Sequence, residues 1–177
     1  AVEAARRGAD KIRINPGNIG AHKNVAAVAK ECSLRGIPIR IGVNSGSIPK
    51  DMLERFGGPT PEAMAAAAAM HIGLLNYCDF DDICLSLKSS SVPASIAAYR
   101  LAAERFKYPL HIGITESGTS YNGIIRSAVG VGAILLEGIG DTLRVSLTAN
   151  PVEEVKAAIA ILKAAELRTA GPRLISC

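Results

Sequence analysis

The sequence predicts an α/β chain, a partial (β/α)8 TIM-type barrel of about five parallel βα units. Three observations carry that expectation. Short runs rich in Ile, Leu and Val alternate along the chain with longer helical stretches. Each connection between runs is long enough for the crossover helix that parallel strands require. Polar and cationic residues then recur at or just past the C-terminal ends of the runs, the side of a parallel sheet where ligands bind.

The elements follow in order. The opening AVEAARRGADKIRIN reads as the tail of a helix already under way, running into a first strand over Lys11–Asn15. A helix over His22–Arg35 comes next, and the Gly36–Ile37–Pro38 join returns the chain to a second strand, Ile39–Asn44. The run Ala65–Ala69 is strong helix and lies inside a helix over Pro61–Tyr77. The third strand, Ile83–Lys88, leads to a helix over Val92–Phe106, and Tyr108–Pro109 marks the turn into the fourth strand, Leu110–Thr115. A helix over roughly Gly123–Leu136 and the Gly138–Ile139–Gly140 join precede the fifth strand, Leu143–Leu147. The last helix, Pro151–Leu167, carries the clearest signals. Asn150 suits the N-cap, Pro151 the first helical position, and Glu153 and Glu154 the positive end of the helix. Val155, Ile159 and Leu162 should form its buried face, with Ile161 at the edge.

A doubly wound sheet is the competing architecture, but it places a Gly-rich phosphate turn after its first strand, and no GxGxxG occurs here. Gly130–Val131–Gly132 is a lone fragment of that pattern in a helical context. The 177 residues suffice for one core. They fall short of the ~250 of a closed eight-fold barrel, so both ends are expected to be cut ends. The chain is 49% hydrophobic and only 4% aromatic, with net charge +4. There is no dense Lys/Arg run and no aromatic interleaving of the basic residues, which argues against nucleic acid as a partner. No stretch reaches the roughly 18 apolar residues of a membrane span, and no signal peptide is evident, so no membrane partner is expected.

The candidate site assembles from the strand ends. Arg13 and Asn15, Arg40 and Asn44, Lys88, Thr115, and Arg144 and Ser146 each sit at or just past the end of an apolar run. Four cations from four strands would converge on one small volume. Such crowding is unfavourable without an anion, and a phosphorylated or diphosphorylated small molecule is the natural one. Arginine forks suit phosphate oxygens in bidentate fashion, lysine acts as a point charge, and the Asn, Thr and Ser side chains add neutral donors and acceptors. Blander roles stay open. Arg13 and Arg40 also suit salt bridges inside a barrel, although Glu116 is the only acid at an equivalent strand end. Lys88 also suits a solvated lysine, and Asn44 a turn former. Glu116 and Ser117 suit the strand-to-helix turn. His111, within a strand, reads as a packed histidine, while His22 and His71 read as helix residues. Gly17, Gly20, Gly42, Gly46, Gly113 and Gly118 would lend backbone freedom near a ligand. Cys32, Cys78 and Cys84 match no metal spacing and read as core thiols.

The segments RINPGNIG, RIGVNSGS, SLKSS, HIGITESG, EGIGDTLRVSLT and the terminal LISC, in this order, resemble the 4-hydroxy-3-methylbut-2-enyl diphosphate synthase family. The resemblance covers essentially the whole chain. It implies a (β/α)8 barrel followed by a small iron-sulfur domain, with residues 1–170 the later part of the barrel and 171–177 the start of the connection. It implies reductive ring opening of 2-C-methyl-D-erythritol 2,4-cyclodiphosphate in isoprenoid biosynthesis, with electrons delivered through a 4Fe-4S cluster by flavodoxin or ferredoxin. Carried over position by position, it assigns Arg13, Asn15, Arg40, Asn44, Lys88, Thr115, Arg144 and Ser146 to substrate binding and Cys177 to the cluster. It assigns no catalytic residue. It further implies a homodimer when full length, and a cytoplasmic location in bacteria or a plastid one in plants. The isolated segment is expected to be inactive. Two alternatives stand beside it: a Schiff-base barrel of the class I aldolase kind using Lys88, and a non-catalytic phosphate-binding fragment.

Overall fold

A computed structural model describes residues 1–15, 18–20, 22–116 and 118–169. Its strands are β1 (Ile12–Ile14), β2 (Ile39–Asn44), β3 (Ile83–Lys88), β4 (His111–Ile112) and β5 (Thr142–Leu143). They run parallel in sequential order. β1, β2 and β3 form one ladder and β4 and β5 another. A parallel bridge between Leu85 and Leu110, with Leu85 N–H donating to Pro109 O at 2.8 Å, joins the two. A doubly wound sheet reverses its strand order at a switch point; this one does not, as a barrel wall requires.

Helices fill the connections: α1 (Val2–Arg6), α2 (His22–Arg35), α3 (Lys50–Phe56), α4 (Pro61–Asn76), α5 (Val92–Arg105), α6 (Ser120–Leu136) and α7 (Pro151–Ala164). Hydroxyl and amide caps set three of their starts. Thr60 Oγ1 accepts from Ala63 N–H at 3.2 Å, Ser91 Oγ from Ala94 N–H at 3.3 Å, and Asn150 Oδ1 from Val152 N–H at 3.0 Å. Each is followed by a proline in the first turn, where a missing N–H costs nothing.

Three expectations need correction. The fourth and fifth ladders are two residues long rather than spanning Leu110–Thr115 and Leu143–Leu147. Hydrogen bonding continues past them, from Arg144 N–H to Ile112 O (3.0 Å) and Thr115 N–H to Ser89 O (3.3 Å). The regular ladder ends at Gly113, where the Arg144 carbonyl and the Lys88 ammonium come close to the bare backbone. α3 has no counterpart among the elements expected from sequence. It is a seven-residue helix that packs Met52, Leu53 and Phe56 on the core and stops at Gly57, whose φ of 70° is left-handed. Finally, α7 turns Ala157 and Ile161 inward, while Val155 is 58% exposed. Leu162 of the expected face does pack on the core, together with Ala158.

Period-two alternation divides the strands into two faces. Ile39, Ile41, Val43, Ile83, Leu85, Leu87, Ile112 and Ile114 point to the helices and are buried. α4 is apolar almost all round and is buried along most of its length, its alanines allowing close approach to its neighbours. The opposite face of the strands carries Arg40, Gly42 and Asn44 on β2, and Cys84, Ser86 and Lys88 on β3, in direct lateral register. Cys84 therefore lies with the polar residues, apart from the apolar core that holds Cys32.

Gly130 is where α6 meets the strand layer. A Cβ there would stand 2.6 Å from Ile114 Cδ1, whereas one on Gly132 would meet nothing within 4 Å. In the intact protein, Gly130→Ala should lower unfolding stability by about 1–3 kcal/mol through overpacking. Gly132→Ala should raise it by up to ~1 kcal/mol through helix propensity. Chemical denaturation of the two variants checks the pair, and equal effects would contradict the packing.

Candidate functional site

The inward face closes on a cavity of about 220 Å³ at the C-terminal ends of the strands, lined by Arg13, Arg40, Asn44, Ser86, Lys88, Thr115, Arg144 and Ser146. Seven of these are residues that the strand-end pattern singles out. β1 and β2 bring Arg13 and Arg40 together as register partners, and β2 and β3 do the same for Asn44 and Lys88. Arg144 and Ser146 follow β5, and Thr115 follows β4. No carboxylate lines the cavity among the described residues.

Asn15 stands beside the cavity rather than in its wall. Its Nδ2 donates to Ser47 Oγ at 3.0 Å, and Ser47 Oγ reaches Asn44 O at 3.3 Å. Ser45–Ser47 is a single 3-10 turn directly after β2, so Asn15 braces the turn that follows Asn44. Ser86 lines the cavity without being among the strand-end residues. Its signal was the alternation itself, since it sits two residues before Lys88 on the same face.

The electrostatics are those of crowded like charges. Lys88 is pushed down from 10.5 to about 7, first by burial and then by Arg40, Arg144 and Arg13. Arg40 is also lowered, mainly by burial, and its Nε is buried without a partner. His111 is held neutral, pushed down to about 3 by burial and then by Lys88, Arg40, Lys11 and Arg144. Its Nδ1 lies 2.9 Å from Thr142 Oγ1, its Nε2 is buried without a partner, and its backbone O accepts from Tyr99 OH at 2.9 Å. It is a packed histidine, facing the cations rather than the apolar core.

One acid comes closer than the sequence suggested. Glu154, from the first turn of α7, places Oε2 4.0 Å from Arg144 Nε and accepts from Leu147 N–H at 2.8 Å. Exposed Arg144 keeps its place in the cavity wall, and at 4.0 Å this pair is weak. Glu116 has a left-handed φ of 53° and lines a neighbouring surface hollow with Gly118, Thr119 and Asn122. Gly20 and Gly118 supply left-handed backbone, as expected of them. Gly42 and Gly113 do not; their contribution is the absence of a side chain, since a Cβ would strike Arg13 at 2.2 Å and the Arg144 carbonyl at 2.5 Å respectively. Gly17, Ser117 and Cys177 lie outside the described residues. A wider hollow of about 600 Å³ opens at the other ends of the strands, where Asp81 and Asp82 face Arg105 and Lys107. Its charges are opposed and balanced, so size alone does not make it the better candidate. No helix among the described residues is long and apolar enough to cross a membrane.

Fold and site together define a segment of a TIM barrel with a cationic mouth. Residues 1–159 match the family described as the GcpE TIM-barrel domain, and the chain belongs to that family. Its relatives include proteins named 4-hydroxy-3-methylbut-2-en-1-yl diphosphate synthase (flavodoxin). The one from Ruminiclostridium cellulolyticum is 56% identical over 177 residues, all of this chain and 50% of the relative. Those from Geobacillus thermodenitrificans and Fusobacterium nucleatum are 56% and 53% identical, again over all of this chain, and over 47% and 50% of their own lengths. The chain thus spans about half the length of the curated relatives it matches.

The lowered Lys88 makes stability depend on pH with a definite sign. Between about 7 and 10.5 the unfolded chain holds the Lys88 proton and the folded chain does not. Stability therefore gains a rising contribution across that window, and bears the full penalty of burying the charge below it. Unfolding free energies at pH 7, 8 and 9 should rise more steeply in the wild type than in Lys88→Met. Parallel profiles would show that Lys88 titrates normally.

Proposed function

We propose that in the whole protein this cavity binds 2-C-methyl-D-erythritol 2,4-cyclodiphosphate for its reductive ring opening to the hydroxymethylbutenyl diphosphate. The observation that carries the reading is the gathering of Arg13, Arg40, Lys88 and Arg144 around one small cavity with no carboxylate among its described lining residues. Membership of a family whose relatives bear the synthase name supports the choice of this diphosphate over other anions. The arginine forks take phosphate oxygens and the Lys88 ammonium adds a point charge. Asn44, Ser86, Thr115 and Ser146 supply neutral hydrogen bonds to phosphate or sugar hydroxyls, and Asn15 holds the Ser47 turn. Binding returns an anion to a site that is otherwise frustrated, so Lys88 regains its proton as the diphosphate enters.

This chain's contribution is binding and orientation. Among the described residues no group of three or more His, Cys, Asp or Glu could hold a metal. Cys32, Cys78 and Cys84 belong to α2, the end of α4 and β3, so they fit no cluster. The 4Fe-4S group would take Cys177 and further ligands from the rest of the whole protein, and flavodoxin or ferredoxin would supply its electrons. In the same reading, residues 1–170 belong to the barrel, 171–177 begin the connection to the cluster domain, the whole protein is a homodimer, and the segment alone is inactive.

A second reading rests on Lys88 alone. A buried lysine lowered to about 7 by cationic neighbours is the form a Schiff-base nucleophile takes. Borohydride treatment with a ketone substrate separates the two, because only an imine is trapped covalently on Lys88.

Arg40→Ala in the intact protein should raise the dissociation constant for the cyclodiphosphate about tenfold to a hundredfold, the loss of ~1.5–3 kcal/mol from a charge-assisted contact. Iron and sulfide content should stay at the wild-type level. Unchanged binding, or loss of the cluster instead, would make Arg40 structural and overturn its assignment.

A further inference from the structure

Two of the cations, Arg13 and Lys88, lie against inward positions that carry no side chain, Gly42 and Gly113. Arg13 and Arg40 are direct register partners on neighbouring parallel strands, so their side chains leave the sheet at one level and would compete for one space. Arg13 avoids the competition by folding over the next inward residue of β2. Its Nη2 donates to Gly42 O at 3.1 Å. The three heavy atoms nearest to a Cβ built on Gly42 all belong to that guanidinium, with Nε at 2.2 Å and Cζ and Nη2 at 3.0 Å. Gly42 itself is buried and its backbone is not left-handed, so conformational freedom does not explain the glycine. Gly113 differs, since a Cβ there would first meet the Arg144 carbonyl at 2.5 Å, with Lys88 Nζ next at 3.0 Å.

We infer that Gly42 is a positioning residue for ligand binding: its bare backbone is the seat that holds the Arg13 guanidinium against the cavity, clear of Arg40. The seat does two things. It gives the second guanidinium a level of its own, which limits like-charge repulsion between register partners. It also supplies a carbonyl that accepts from Arg13 and fixes the direction of the fork, so that its remaining N–H groups are committed before the anion arrives. The inference rests on the diphosphate reading of the cavity, and Gly42 acts only through Arg13.

Because Arg13 is the group displaced, a double-mutant cycle isolates the effect. In the intact protein, binding of the cyclodiphosphate is measured by calorimetry for the wild type, Gly42→Ala, Arg13→Ala and the double variant, with thermal unfolding followed in parallel. Gly42→Ala should weaken binding about tenfold or more. The double variant should bind like Arg13→Ala alone, since the seat has no occupant left to lose. If Gly42→Ala fails to fold, the double variant still decides the matter, because the side chain that the methyl would strike is gone. Wild-type-like binding by Gly42→Ala overturns the inference, and so does a double variant weaker than Arg13→Ala. If the wild type itself does not bind the cyclodiphosphate, it is the diphosphate reading that fails.

Discussion

Four cationic side chains gathered at the mouth of a parallel sheet, Lys88 and Arg40 within it and Arg13 and Arg144 nearer solvent, are the constraint on which the rest of this structure depends. Alternation along β2 and β3 sends Ile39, Ile41, Val43, Ile83, Leu85 and Leu87 outward to the helices, which leaves the inward face to Arg40, Gly42, Asn44, Ser86 and Lys88. The apolar layer is the source of stability, and the cationic layer draws on it. Lys88 lowered to about 7, Arg40 with an unpartnered buried Nε, and His111 held neutral are three signs of the same unfavourable field. A protein keeps such a field where a ligand completes it.

The polar groups around the cavity are fixed by partners that are not themselves cations. Tyr99 OH holds the backbone of β4 through His111 O, Thr142 Oγ1 meets His111 Nδ1, and Asn15 and Ser47 brace the turn after Asn44. Such supports keep donors in place before a ligand arrives, which reduces the entropy lost on binding. The Arg13 guanidinium lying over Gly42 belongs to the same design. In a packed polar interior the missing methyl of a glycine matters as much as a charged group does.

Much of this was legible in the sequence because period-two patterns survive translation into structure. The limits of β2 and β3, and the convergence of Arg13, Arg40, Lys88 and Arg144, follow from Ile and Leu alternating with polar residues. What was illegible depends on tertiary geometry. Asn15 and Asn44 look equivalent by spacing, yet the 3-10 turn at Ser45–Ser47 takes one into the brace and leaves the other in the wall. Glu154 is an ordinary first-turn acid in sequence, and only the docking of α7 brings it near Arg144. The short α3 hid between β2 and the Gly57–Gly58 turn, its seven residues giving fewer than two turns in which an apolar period could repeat. Val155 and Ile161 are both apolar, and the neighbouring helix decides which is covered. Gly42 reads as a flexible residue until the Arg13 guanidinium is seen lying across it.

The central claim is that a diphosphate relieves the crowded charge of this cavity. Calorimetric titration of the intact protein with the cyclodiphosphate at pH 8, in buffers of different ionisation enthalpy, tests it most directly. Lys88 at about 7 is mostly neutral at that pH and should be recharged by the anion. The account predicts saturable binding with net uptake of close to one proton, lost in Lys88→Met. Binding with no proton uptake, or no binding at all, would contradict it.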